Sequence, residues 1–153
     1  MSAGVPATLV VRTPNWLGDT VMAQPALAGL REAMPEATIT VIGRWASLLR
    51  GQGIADALLD YPASPTRRRF ARALADARPD LALVLPNSFE AARAARQWGA
   101  RRRVGFDTDA RGLYLTDPVP LPAPRRHQVD EYRLLIEALG ITTPVREPRL
   151  RVP

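Results

Sequence analysis

Asp80-Leu81-Ala82-Leu83-Val84-Leu85 is an almost unbroken apolar run. A strand with one wet face alternates; a run without alternation is covered on both faces, as in the middle of a parallel sheet. Its flanks agree. Arg67 to Ala77 puts Phe70, Leu74 and Ala77 on one helical face. Ser88 to Trp98 is alanine-rich and helical, with Ser88 suited to cap its N-terminus.

Outward from this unit the pattern repeats. Thr8 to Arg12 reads as a buried strand closed by Pro14 and Asn15. Val21, Met22, Ala26, Leu27 and Leu30 recur at helical spacing between Leu17 and Ala33, where Pro25 should kink or split the helix. Ala37 to Ile42 is a second strand, Trp45 to Leu49 a short helix ended by Gly51 and Gly53, and Ala57 to Tyr61 a third strand. Later come a strand at Arg103 to Phe106, a further candidate strand at Gly112 to Leu115, and a helix at Val129 to Leu139 stopped by Gly140. Pro118 to Pro124 reads as a proline-stiffened connector, and Pro144 to Pro153 as a linker. Strands alternating with helices give an α/β fold: a Rossmann-like parallel sheet with helices on both faces, joined by right-handed crossovers.

The 153 residues are 46% hydrophobic and 24% charged, the balance of a soluble globular domain with a sizeable core. There is no apolar run long enough for a membrane helix, and Met1 to Ala7 lacks the plan of a secretory signal. Absence of cysteine excludes disulfides and thiolate metal sites and fits a cytoplasmic setting. The net charge is +6 and all 21 basic residues are arginine. Arginine's planar fork suits phosphates and carboxylates, so an anionic partner is expected; charge alone does not choose among nucleic acid, lipid headgroup and phosphorylated sugar.

Ligands of open parallel sheets bind at the carboxyl ends of the strands. After the first strand, Thr13-Pro14-Asn15-Trp16-Leu17-Gly18-Asp19 has one glycine and is neither a dinucleotide fingerprint nor a P-loop. It offers the carboxylate of Asp19 at a helix start, able to accept a proton from a hydroxyl; a plain dipole-complementing residue is the commoner reading of such a position. After the central strand, Asn87 and Ser88 read equally well as a cap or as the polar wall of a sugar site. Arg67-Arg68-Arg69 opens a helix where the dipole disfavours cations, which points to an anion, although a solvated charged face is the commoner origin of such runs. Arg101-Arg102-Arg103 has the same ambiguity. His127 is the single histidine, with no triad or metal partners in view.

Four stretches together resemble the ADP-heptose:lipopolysaccharide heptosyltransferases, most closely the heptosyltransferase II members. They are Pro14-Asn15-Trp16-Leu17-Gly18-Asp19 with Met22; Val84-Leu85-Pro86-Asn87-Ser88-Phe89; Arg103-Val104-Gly105-Phe106 with Arg111-Gly112-Leu113-Tyr114; and His127-Gln128-Val129-Asp130-Glu131-Tyr132. The resemblance implies the N-terminal half of a GT-B glycosyltransferase. Residues 1–143 would be the acceptor-binding domain and 144–153 the start of the interdomain linker, with the nucleotide-sugar domain absent. It implies an inverting transfer with Asp19 as general base. Asn15, Trp16, Gly18, Asn87, Ser88, Phe89 and His127 would bind the acceptor, and Arg67, Arg68, Arg69 and Arg111 would meet the phosphates and carboxylates of the lipid A inner core.

No cofactor or metal is implied, and ADP-heptose would bind the absent domain, so this chain alone would not catalyse transfer. The whole protein would be cytoplasmic and peripheral to the inner membrane. Two rivals are a stand-alone flavodoxin-like binding domain and a basic nucleic-acid module. Against the second, aromatics are only 6% and are not interleaved with the basic clusters as stacking platforms require.

Overall fold

The structure, a computed structural model, describes residues 6–62, 64–108 and 110–152. Six strands form one sheet: β1 (Thr8–Arg12), β2 (Thr38–Gly43), β3 (Ala57–Asp60), β4 (Leu81–Val84), β5 (Arg102–Phe106) and β6 (Asp117–Val119). Their order is β3-β2-β1-β4-β5-β6, and every pairing is parallel. The helices are α1 (Leu17–Ala33), α2 (Arg67–Ala77), α3 (Phe89–Gln97) and α4 (Gln128–Glu137).

The apolar run of β4 is explained by two cores. Leu81 and Leu83 pack with Leu9 and Val11 of β1 under Leu27 and Leu30 of α1 and Leu135 and Ile136 of α4. Ala82 and Val84 pack the other way, with Val10, against Ala91, Ala95 and Trp98 beside α3 and Phe70 and Leu74 of α2. Alternate β4 side chains therefore meet helices on opposite faces, which is why the strand cannot alternate in polarity.

Three expectations change. Pro25 does not split its helix: α1 runs continuously through it. Proline removes one intrahelical hydrogen bond, while buried Ala23, Ala26, Leu27 and Leu30 keep both halves seated on the sheet. Residues Gly112 to Leu115 are not a strand; Arg111–Tyr114 is a single turn of 3₁₀ helix. The sixth strand lies instead in the proline-rich connector, where Gly105 pairs with Pro118. An edge strand tolerates proline because one side of it has no ladder to complete.

The terminal segment is irregular, as a linker would be, but it is tied down. Arg146 grips Glu32 of α1 at 2.6 and 2.7 Å, and the Arg149 and Arg151 amides donate to Gln24 and Gln52. Thr143 seats against Gly29, where a Cβ would come within 2.5 Å of its methyl.

Candidate functional site

Because β1 and β4 are neighbours at the point where the strand order reverses, the loops that follow them converge. Between them lies a cleft of about 260 Å³ lined by Asn15, Trp16, Asp19, Asn87, Ser88, Gln128 and Tyr132, among others. Asp19 stands in the first turn of α1. No side chain caps this helix, so Asp19 is not its N-cap. Among the described residues, the Asp19 carboxylate has neither hydrogen bond nor ion pair, and it faces the cleft half-buried.

The opposite wall is built by α3 and by Arg111. The Ser88 hydroxyl accepts from the Ala91 amide at 3.2 Å, the N-cap expected of it. The Asn87 carbonyl accepts from the Thr108 hydroxyl at 2.9 Å, while its side-chain oxygen is buried without a partner. Arg111 is fully buried; it donates to the carbonyls of Phe106, Pro86 and Ser88. It therefore props the loop after β4, which corrects its reading as a contact to acceptor phosphate: a guanidinium enclosed by main-chain carbonyls is not presented to a ligand. Phe89 is exposed and packs edge-on to Tyr114 with centroids 5.0 Å apart, outside this cleft.

A third wall comes from α4. His127 caps this helix, its Nδ1 accepting from the Val129 amide at 3.3 Å, and it does not line the cleft. The lining falls to its neighbours Gln128 and Tyr132, one helical turn apart. Burial, and then the charge of Asp19 lining the same cleft, push the Tyr132 hydroxyl pKa up.

On the far side of Asn15 and Trp16 opens a second cleft, of about 670 Å³, lined by Arg12, Arg44, Tyr61, Arg67 and Glu90 with the same two loop residues. The guanidinium carbons of Arg12 and Arg67 lie 4.2 and 4.8 Å from the centroid of the Tyr61 ring. Burial, and then the hydrogen bond that the Tyr61 hydroxyl donates to Glu90, push its pKa up to about 12. Burial likewise lowers the pKa of the Arg12 guanidinium. Three arginines against one glutamate leave this cleft basic. Arg68 and Arg69 are exposed on α2 and line neither cleft. Gly18 is exposed at the start of α1, with nothing within 4 Å of the place a Cβ would take.

Sequence reasoning missed Arg12, Arg44, Tyr61, Glu90, Gln128 and Tyr132. A charged residue ending a buried strand was a signal for Arg12, and the i, i+4 spacing in the fourth motif was one for Gln128 and Tyr132. Tyr61 and Glu90 had none, since folding alone brings them together. Among the described residues, no cluster of three or more acidic, histidine or cysteine side chains could hold a metal. No helix among them is long and apolar enough to cross a membrane.

A parallel sheet in this order, with a cleft at its reversal point, defines a Rossmann-like domain. The chain belongs to glycosyltransferase family 9, the heptosyltransferase family, whose model matches residues 67–152. ADP-heptose lipopolysaccharide heptosyltransferase II of E. coli superposes with a TM-score of 0.79 at 28% identity, over 95% of this chain and 47% of that one. A family 9 glycosyl transferase of Veillonella parvula gives 0.75 at 23%, over 89% of this chain and 42% of that one. The E. coli heptosyltransferase WaaC, solved with ADP, gives 0.75 at 17%, over 92% and 50%, a likeness of fold. The chain thus spans about half the length of these structures. No curated protein matches it significantly in sequence.

Proposed function

We propose that this chain is the acceptor-binding, N-terminal half of an inverting glycosyltransferase that moves heptose from ADP-heptose to the lipopolysaccharide inner core. Residues 1–143 hold the acceptor, and 144–153 lead to a second domain that binds the donor. The chain alone then lacks the donor site and does not catalyse transfer. The observation that carries this reading is Asp19: a carboxylate without protein partners among the described residues, facing a polar cleft at the sheet's reversal point.

In the proposed reaction an acceptor hydroxyl oxygen forms a bond to the anomeric carbon as the bond from that carbon to the phosphate oxygen breaks. ADP leaves from the opposite face, the anomeric configuration inverts, and Asp19 takes the hydroxyl proton. Asn15, Asn87 and Ser88 offer hydrogen bonds to the sugar, with Gly18 leaving room at the helix start. Trp16, 73% exposed between the two clefts, offers a face for a sugar ring to lie on. Arg67 and Arg44 receive the phosphates or carboxylates of the lipid A–inner core, and Arg68 and Arg69 extend that basic surface. We assign no cofactor to this domain. A lipid-linked acceptor places the whole protein on the cytoplasmic side, peripheral to the inner membrane.

The test is Asp19→Asn in the protein carrying both halves. Asparagine keeps the size and the hydrogen-bonding shape but cannot accept the proton. Turnover should fall by about 10²–10⁴ with folding and acceptor affinity retained. Turnover near that of the wild type would end the assignment.

A further inference from the structure

Asn15 and Trp16 are the common wall of both clefts, and one side chain holds that wall from beneath. Arg12, the last residue of β1, is 1% exposed. Its Nη1 donates to the Thr13 carbonyl at 2.6 Å and its Nη2 to Asn15 Oδ1 at 2.8 Å. Its flat guanidinium lies against the Tyr61 ring, and Tyr61 in turn donates to Glu90 in the first turn of α3. From the other side the Trp45 indole donates to the Asn15 carbonyl at 3.1 Å. One buried cation thus joins the loop after β1 to the end of β3 and the start of α3.

That cation is expensive for the fold. Among the described residues no carboxylate forms an ion pair with it, and its Nε is buried with no partner. Glu90 favours the charge only through space; burying a cation without a direct ion pair costs stability, and an apolar side chain of similar length would fill the end of a buried strand at less penalty. What the apolar side chain could not do is grip two acceptors in one plane while stacking on a ring.

We propose that Arg12 is a positioning residue for transfer: its fork fixes the Asn15–Trp16 wall, and so the separation between Asp19 on one side and Arg44 and Arg67 on the other. The catalytic part rests on the acceptor-binding reading above; the placing of the wall does not. An acceptor anchored by its anionic groups in one cleft presents a hydroxyl to Asp19 only if the wall stands at a set distance. A misplacement of about 1 Å at a reacting centre costs on the order of a hundredfold in rate.

The test is Arg12→Lys, which keeps a cation beside Tyr61 but loses the fork; Arg12→Met, neutral and similar in length, takes its place if the lysine variant does not fold. The chain has three tryptophans, hence three indole N–H signals. In the ¹⁵N-labelled variant the Trp45 signal should move, because its acceptor is the wall, while that of Trp98, buried among Phe70 and the alanines of α3, should not. In the protein carrying both halves, kcat should fall about tenfold or more while the KM for acceptor changes far less, the split expected of lost alignment. A folded variant with the Trp45 signal unmoved overturns the proposal, and so does a moved signal with kcat intact. If the signal moves but Asp19→Asn leaves turnover unchanged, the acceptor-binding reading fails while the placing of the wall stands.

Discussion

Arg111 Nη1 donates to the Pro86 carbonyl at 2.6 Å, joining the turn after β5 to the loop after β4. The same nitrogen reaches the Ser88 carbonyl at 2.9 Å, and Nε donates to Phe106 at 2.8 Å. One buried side chain therefore shapes the cleft wall that carries Asn87 and Ser88. Arg111→Ala leaves these carbonyls without their charged donor and opens a void, so stability should drop by about 3 kcal/mol. Urea denaturation reads this directly; a loss below about 1 kcal/mol, the net worth of an ordinary neutral hydrogen bond, would mean that the loop does not depend on Arg111.

Gly43 ends β2 against Thr13, and a Cβ there would lie 1.7 Å from Thr13 Oγ1 and 3.0 Å from its Cβ. Rotating the hydroxyl away leaves the second contact, and Thr13 is fully buried. Gly43→Ala should therefore cost about 1–3 kcal/mol as an overpacked core site. Gly18→Ala is the control: nothing stands within 4 Å of its Cβ position, and alanine suits a helix better by up to about 1 kcal/mol. Equal midpoints in urea for the two variants would contradict the packing at Gly43.

Asp80 Oδ2 accepts from the Ala7 and Thr8 amides at 2.9 and 3.0 Å and from the Thr8 hydroxyl at 3.2 Å. The Thr8 amide and then the Ala7 amide hold its pKa below the ordinary 3.8. A carboxylate with a depressed native pKa contributes stability above the unfolded value and loses it as the pH falls through the native one. Stability should thus decline on acidification below about pH 4, and Asp80→Asn should flatten part of that slope while lowering stability at pH 7. Denaturation midpoints across pH 2 to 7 check it; parallel curves for the variant and the wild type would show that Asp80 contributes nothing to the slope.

Arg67 lines the basic cleft, whereas Arg68 and Arg69 do not. In the protein carrying both halves, Arg67→Ala should raise the KM for a phosphorylated acceptor by roughly 10- to 100-fold, the worth of a charge-assisted contact to phosphate. Arg68→Ala and Arg69→Ala should change it by less than about threefold, as solvated charges do. Equal effects from all three would replace a defined subsite with a diffuse basic surface.

The reading of local structure succeeded where one physical signal dominated. The β4 run and the spacing in α2 leave only one way to bury their apolar atoms. It failed at residues 111–119, where two weak signals competed. Gly112 to Leu115 has the side chains of a strand, yet Arg111 draws it into a 3₁₀ turn by bonding main-chain carbonyls at the end of β5 and in the loop after β4. Pro118 looked like a connector because proline cannot donate to a ladder, and only its place at the sheet edge removes that objection.

Of the site, the chain by itself determined the chemistry available at each loop: a carboxylate at a helix start, Asn87 and Ser88 after a central strand, arginines opening α2. These follow from residue type and local position, which short-range physics governs. Only tertiary structure decided which of them share a cleft. The pairing of β1 with β4 brings Asp19 to Asn87 across a cleft that α4 closes with Tyr132. Burial makes Arg111 a prop for the loop after β4, and it sets Arg12 against the Asn15 side chain. A side chain's role depends on what encloses it, and that enclosure is set by residues tens of positions away.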